Sequence, residues 1–409
     1  MSWLIGDTRR PQPNGSQEGD AHRKVVGLVP APEMPAEVSR RIIERLPPLL
    51  ADYVDDRLSW EVELIVDPLI GVAEDSTDIV GNLINYKWHR QWDYVICITD
   101  LPIRKRKRFV VAEASKANGV ALISLPTFGA TTIRRRLCEA ILQLANEMHH
   151  GSSVEARTRQ SWHTARSQKV HESLRGQGAW QLLGTHLYEK LFPIRRLTLT
   201  SEEHTIDVRF IAETWINGNL RILAGMVRAN RPWTIFPAFK GVIAAAFATG
   251  TYGLVFPNLW QLSDHYAWPR LVLLMMVAML AMIAWIILAH NLWEPPQKAS
   301  SPYLARLYNA VTVLTLSAGV AFYYMILLIL FCIAALVFVP FDMLEAKLGH
   351  GIDLLDYIVL AWLTTSVATF VGALGVGLED EETVRNATYG YRQRRRNQRK
   401  GEGRNDLAE

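Results

Sequence analysis

LVLLMMVAMLAMIAWIILA, residues 271–289, carries no charged or amide side chain. An α-helix rises about 1.5 Å per residue, so roughly 20 apolar residues cross a hydrocarbon core of about 30 Å. Three more uncharged stretches lie in the same part of the chain: Gly241–Leu262, Leu307–Phe341 and Tyr357–Leu378. Each is long enough, or nearly so, to span. The reading is a four-helix α-helical transmembrane region over residues 232–378. The third stretch has 35 residues, about 52 Å as one helix. It must tilt, project or break, and Pro340 marks its end. One helix or two stays open; two would put the chain ends on opposite sides.

Mean hydropathy over the 409 residues is near zero, +0.06, because two unlike parts cancel. Residues 1–231 are rich in charge and read as water-soluble; charges after 231 fall almost entirely outside the spans. A net charge of +4 gives no argument for nucleic acid. Cys97, Cys138 and Cys332 stand alone, without a CxxC pair or a disulfide framework, which suits a reducing compartment. Residues 1–23 lack an apolar core of signal-peptide length and read as a disordered polar arm.

Lys and Arg in short loops set membrane orientation. Arg221, Arg228 and Arg231 precede the first span, Lys298 and Arg306 lie between the second and third, and a tail over 379–409 is basic. The other two loops hold only Arg270 and Lys347 as cations. Both termini are therefore expected in the cytoplasm, in a multi-pass protein of the cell (plasma or inner) membrane. Trp233, Trp260, Trp268 and Trp293 fall where an interfacial aromatic belt would place them.

Ahead of the spans, strand and helix patterns alternate. Lys24–Pro30 (KVVGLVP) reads as a strand, and Pro35–Val54 as a helical stripe interrupted by Pro47-Pro48. Trp60–Val66 alternates as a half-buried strand, 75–91 is helical, and Tyr94–Thr99 (YVICIT) is a central strand. Phe109–Ala114 and Gly119–Leu125 are further strands, before a helix over 131–149. This pattern implies an α/β soluble domain at 24–150, a mixed sheet covered by helices with its first three strands parallel. Residues 151–231 read as a helical and β connector: a polar helical segment to 192, a strand through Ile206, Val208 and Phe210, then a basic amphipathic helix.

Ligands of parallel α/β sheets bind outside the carboxyl ends of the strands. Here that edge gathers Pro30, Asp67 and Asp100, with Glu113 on the following strand as a third acid. Two carboxylates there can work as acid and base or hold a cation. The plainer reading has each Asp capping a proline-containing turn. The run Arg104-Lys105-Arg106-Lys107-Arg108 suits anionic lipid at about 1 kcal/mol per cation, or a solvated hairpin tip. Glu147, His149 and His150 lack the one-face i, i+4 spacing of zinc ligands, so the histidines are expected to interact with their helix's carboxyl end. There is no GxxxxGK[ST], no GxGxxG after the first strand and no serine elbow. No catalytic residue, metal site or cofactor is assigned. Within the spans, Thr364, Thr365, Ser366 and Thr369 are neutral and read as packing surface.

Ile98-Thr99-Asp100, Val110–Ala114 and Gly119–Ser124 precede a helix in which Leu142, Gln143 and Asn146 occupy zinc-motif positions. The order resembles archaemetzincins, a metallopeptidase family whose helix bears HExxH. The resemblance implies a related fold and, with the zinc motif lost, no peptidase activity. Phrases through the whole chain, among them Asp67-Pro68-Leu69, Thr99-Asp100-Leu101-Pro102 and Leu223–Trp233, resemble a group of uncharacterised bacterial integral membrane proteins. The functional expectation is a non-enzymatic binding, scaffold or regulatory protein. Its partners would be the lipid bilayer and other membrane proteins or itself, and not nucleic acid. A metal-assisted hydrolase and a small transporter or channel are the alternatives.

Overall fold

The computed structural model describes residues 23–68, 76–105, 108–151, 194–199, 206–212, 215–232, 239–296 and 302–376. The expectations for the N-terminal arm, the polar segment 152–192, Arg106, Lys107, Trp233, Lys298 and the basic tail lie outside them. Two compact units divide the chain. One holds most of residues 1–215; the other holds Asp100–Pro102, Pro126–Thr131 and everything from Ile216 onward.

The first unit is built on a mixed eight-stranded sheet. Its strands are β1 (Arg23–Pro30), β2 (Ser59–Leu64), β3 (Tyr94–Thr99), β4 (Ile103–Lys105), β5 (Arg108–Ser115), β6 (Val120–Ser124), β7 (Ile194–Thr198) and β8 (Val208–Ala212). They run in the order β2-β1-β3-β6-β5-β8-β7, with β4 paired to β5. The first three strands are parallel, as the sequence implied, and β6 extends that parallel core. The remaining pairings are antiparallel: β4–β5, β5–β6 and β7–β8 between consecutive strands, and β5–β8 between distant ones.

Burial follows composition. YVICIT is buried at every position but the first, as a strand covered on both faces must be. Helices α1 (Met34–Ile42), α2 (Leu46–Tyr53), α3 (Ser76–Arg90) and α4 (Ile133–His150) supply the cover. Ile79 and Leu83 of α3 share a core with Val29, Val95, Cys97 and Leu122. Ile96 and Ile98 alternate to the other face, where α4 packs with α1 and α2. Gly27 has a specific cause: the Trp92 indole lies against its Cα, and a Cβ there would collide with the ring.

Two strands from within 151–231 join this sheet. β7 and β8 are its outer strands, and Arg196 of β7 holds Glu147 of α4 through two bonds of 2.9 and 2.8 Å. The sequence Ile194-Arg-Arg-Leu-Thr198 hides this strand because none of its side chains is fully buried.

The second unit is helical: α5 (Trp215–Asn230), α6 (Lys240–Leu254), α7 (Pro257–His265), α8 (Trp268–Ala289), α9 (Pro302–Phe338), α10 (Phe341–Leu348) and α11 (Leu354–Val376). By length and composition α8, α9 and α11 can each cross a membrane. The stretch 241–262 is not one straight span. It breaks after α6 and turns by 90° into α7. Pro257 lacks the N–H that would continue the helix, and Phe256 before it takes the extended conformation such a residue prefers. The third stretch is one helix of 37 residues, not two. It stops before Pro340, which caps α10.

Helices α6, α9 and α11 approach closely through glycine. A Cβ on Gly250 would strike the Phe331 ring, and one on Gly372 would strike the Tyr323 hydroxyl. Outside this packed core, α8, α9 and α11 leave large apolar side chains exposed, including Leu273, Leu280, Leu288, Ile333, Val337 and Val367.

Candidate functional site

Strand order reverses at β1: β2 lies on one side of it and β3 on the other. In open α/β sheets such a reversal leaves a crevice at the carboxyl ends of the strands. The ladder runs past the formal end of β2 here. Ile65 N–H donates to the Leu28 carbonyl at 2.9 Å and Asp67 N–H to that of Pro30 at 3.2 Å. From the other side, Ala31 N–H donates to Ile98 at 2.8 Å. Pro30 and Asp67 are thus neighbours across β1 and β2.

Asp67 is buried, and its Oδ2 accepts a hydrogen bond from the Tyr86 hydroxyl of α3 at 2.9 Å. Burial, then this bond and the carboxylate's charge, push the Tyr86 phenol up to about 12. Asp100 directly follows Thr99, the last residue of β3, and is also buried. A buried carboxylate requires donors, which Tyr86 supplies to Asp67.

Glu113 is placed differently. It pairs with Leu122 of β6, which pairs with Cys97, two residues inside the Thr99 end of β3. Its carboxylate accepts from Arg209 of β8 at 2.7 Å. This is a cross-strand pair in mid-sheet, apart from the carboxyl edge. The described flanks of the basic run pair antiparallel, with Arg104 opposite Phe109 and Lys105 opposite Arg108.

At the other end of β3 lies a cluster that the sequence reading missed. His149 Nδ1 shares a hydrogen bond of 2.9 Å with the Tyr94 hydroxyl, and its Nε2 is 3.7 Å from Asp55 Oδ2. The ring stands edge-on to Trp60 and to His150, whose Nε2 meets the Val54 carbonyl at 2.9 Å. The two histidines therefore reach across to the start of β2 and β3 instead of serving their own helix end. Burial first, then the neighbouring His150, lowers the His149 pKa. Hydrogen bonds from Arg57 hold Asp55 down at about 2. A neutral imidazole beside an ionised carboxylate braces three elements; the adjacent His149-His150 pair was its only sequence signal.

In the helical unit, Thr364, Thr365, Ser366 and Thr369 each donate to the carbonyl four residues back, at 2.7–3.0 Å. Tyr324 adds a bond to Ser366 at 2.8 Å. These hydroxyls are buried and satisfied within the packing.

No family model matches the chain, and no curated protein or solved structure matches it either. On α4, Leu142, Gln143 and Asn146 are all buried, and Gln143 donates to Glu147 at 3.1 Å.

Proposed function

We propose that this chain is a multi-pass integral protein of the cell membrane whose α/β domain works in the cytoplasm by binding a ligand or partner, as a scaffold or regulator. The observation that carries the membrane reading is the apolar exterior of α8, α9 and α11. Side chains such as Leu288 and Val337, 72% and 71% exposed, would each forfeit about 1.5–3 kcal/mol of burial in water. A hydrocarbon solvent removes that cost.

Charge supports the orientation. Arg221 and Arg228 lie on α5, Arg231 directly after it, and Arg306 at the start of α9. Asn219–Tyr303 and Asn230–Thr315 hydrogen bonds tie those segments together. The loops containing α7 and α10 meet through His350 and Asp264 at 2.9 Å, and they hold Asp342, Glu345, Asp353 and Asp356. More Lys and Arg flank the proposed inner ends than the outer loops, which carry Arg270 and Lys347, and that excess fits the positive-inside pattern with both termini inside.

For the binding role, the support is the carboxyl edge of β1, β2 and β3, where Asp67 is held by Tyr86 and Asp100 is buried. The test combines two measurements on the full chain. It should resist alkaline extraction from membranes, with a reporter after Glu409 cytoplasmic and one after His350 outside. Release by alkali, or the reversed reporter pattern, would remove the proposal. Substrate turnover that Asp100→Asn abolishes would replace binding with catalysis.

A further inference from the structure

The sheet unit contains a cavity of about 380 Å³ between the end of α1, the turn after it and the start of α4. Four exposed arginines, Arg41, Arg45, Arg134 and Arg135, line it together with the buried Glu139. Ile42 and Leu142, both buried, give it an apolar floor. Two of the cations are partly neutralised, since Arg41 pairs with Glu37 and Arg135 with Glu139 at 2.9 Å. Arg45 and Arg134 have no acid partner among the described residues.

The placement works against the helix that provides half of it. Helix α4 opens with Arg134-Arg135-Arg136, has no acid in its first turn and no side-chain cap on its Thr132 terminus. Cations at a helix amino end oppose the macrodipole, which favours an anion there. A sequence that breaks this local rule needs a compensating gain. The cavity volume falls within the range of small-ligand sites, and arginine's planar fork matches phosphate oxygens.

We propose that this cavity binds a phosphate monoester carrying an apolar substituent, with Arg45 and Arg134 gripping the phosphate and the substituent lying on Ile42 and Leu142. The site is separate from the carboxyl edge of the sheet and does not rest on a role for Asp67 or Asp100. Cys138, also in the lining, is not a reacting group: burial pushes its thiol up to about 11, so it stays protonated at neutral pH. It serves instead as a reporter.

The experiment is calorimetric titration of the full chain in phosphatidylcholine nanodiscs with hexyl phosphate, against hexanol and inorganic phosphate. Hexyl phosphate should bind at a single site about tenfold or more tighter than either control. The variant Arg45→Ala/Arg134→Ala should weaken it by about tenfold or more, whereas Arg57→Ala should not. Nanodiscs containing phosphatidic acid separate two sources of the same chemistry. Competition with hexyl phosphate assigns the site to a lipid headgroup, and no competition assigns it to a soluble ester. Hexyl phosphate no tighter than hexanol, or equal binding by the double variant, overturns the proposal. If the double variant fails to fold, alkylation of Cys138 in the unaltered chain decides, read by mass spectrometry of its peptide. Hexyl phosphate should slow it and hexanol should not; equal rates overturn the site.

Discussion

The two units differ in where many of their polar side chains find partners. In the sheet unit the partners come from far along the chain: Lys24 with Asp93, Glu63 with Trp92, Glu147 with Arg196, Glu113 with Arg209. In the helical unit Thr364, Thr365, Ser366 and Thr369 turn to carbonyls four residues away. Charged pairs latch one element to another, but each half is costly to bury alone. Hydroxyls satisfied by their own helix ask nothing of a neighbour, so adjacent helices meet through shape, at Gly250 and Gly372.

That contrast breaks most visibly at Arg209. Replacing it with Met removes the cation paired with the buried Glu113 carboxylate and should cost about 3–5 kcal/mol. Hydrogen exchange would show β5 and β8 opening early, with most of the loss recovered when Glu113→Leu is added. Next come the glycines. Gly250→Leu should loosen α6 from α9 and Gly27→Val should displace Trp92, each at about 1–3 kcal/mol or more. Each effect should stay within its own unit by hydrogen exchange.

A smaller effect is pH-dependent. The folded state lowers the His149 pKa below its ordinary 6.5, so the unfolded chain binds more protons. The stability this supplies is complete above about pH 6.5 and is lost as pH falls toward the lowered folded value. Thermal melts from pH 7.5 to 5 should show that decline, and His149→Asn should flatten it. The smallest change is expected from Thr365→Val, within about 0.5 kcal/mol, because its acceptor keeps its helical partner. A large loss there would mean the hydroxyl serves another helix, or a permeation path.

KVVGLVP, YVICIT and the uncharged stretches were legible because each is a local pattern with one physical meaning. The break before Pro257 was equally local, but the absence of charge through 241–262 masked it. Strand β7 could not be read: an edge strand with Arg195 and Arg196 looks like loop until a neighbour supplies Glu147. Of the candidate acids, Asp67 beside Pro30 followed from strand order alone. Glu113 did not, since its partner Arg209 lies 96 residues away. The Asp55–His149–Tyr94 cluster joins three separate elements, and no spacing rule anticipates that.

Helix α6 has 15 residues, about 22 Å, and stands against α9, with 37 residues and about 55 Å. In a bilayer these two cannot both match one thickness. Lipid beside α6 would have to thin or admit headgroups, with α7 turned along the surface, while α9 reaches well past the acyl chains. Such hydrophobic mismatch favours thin membranes and gives the annular lipid an uneven profile. Residence of this protein should therefore vary with acyl-chain length.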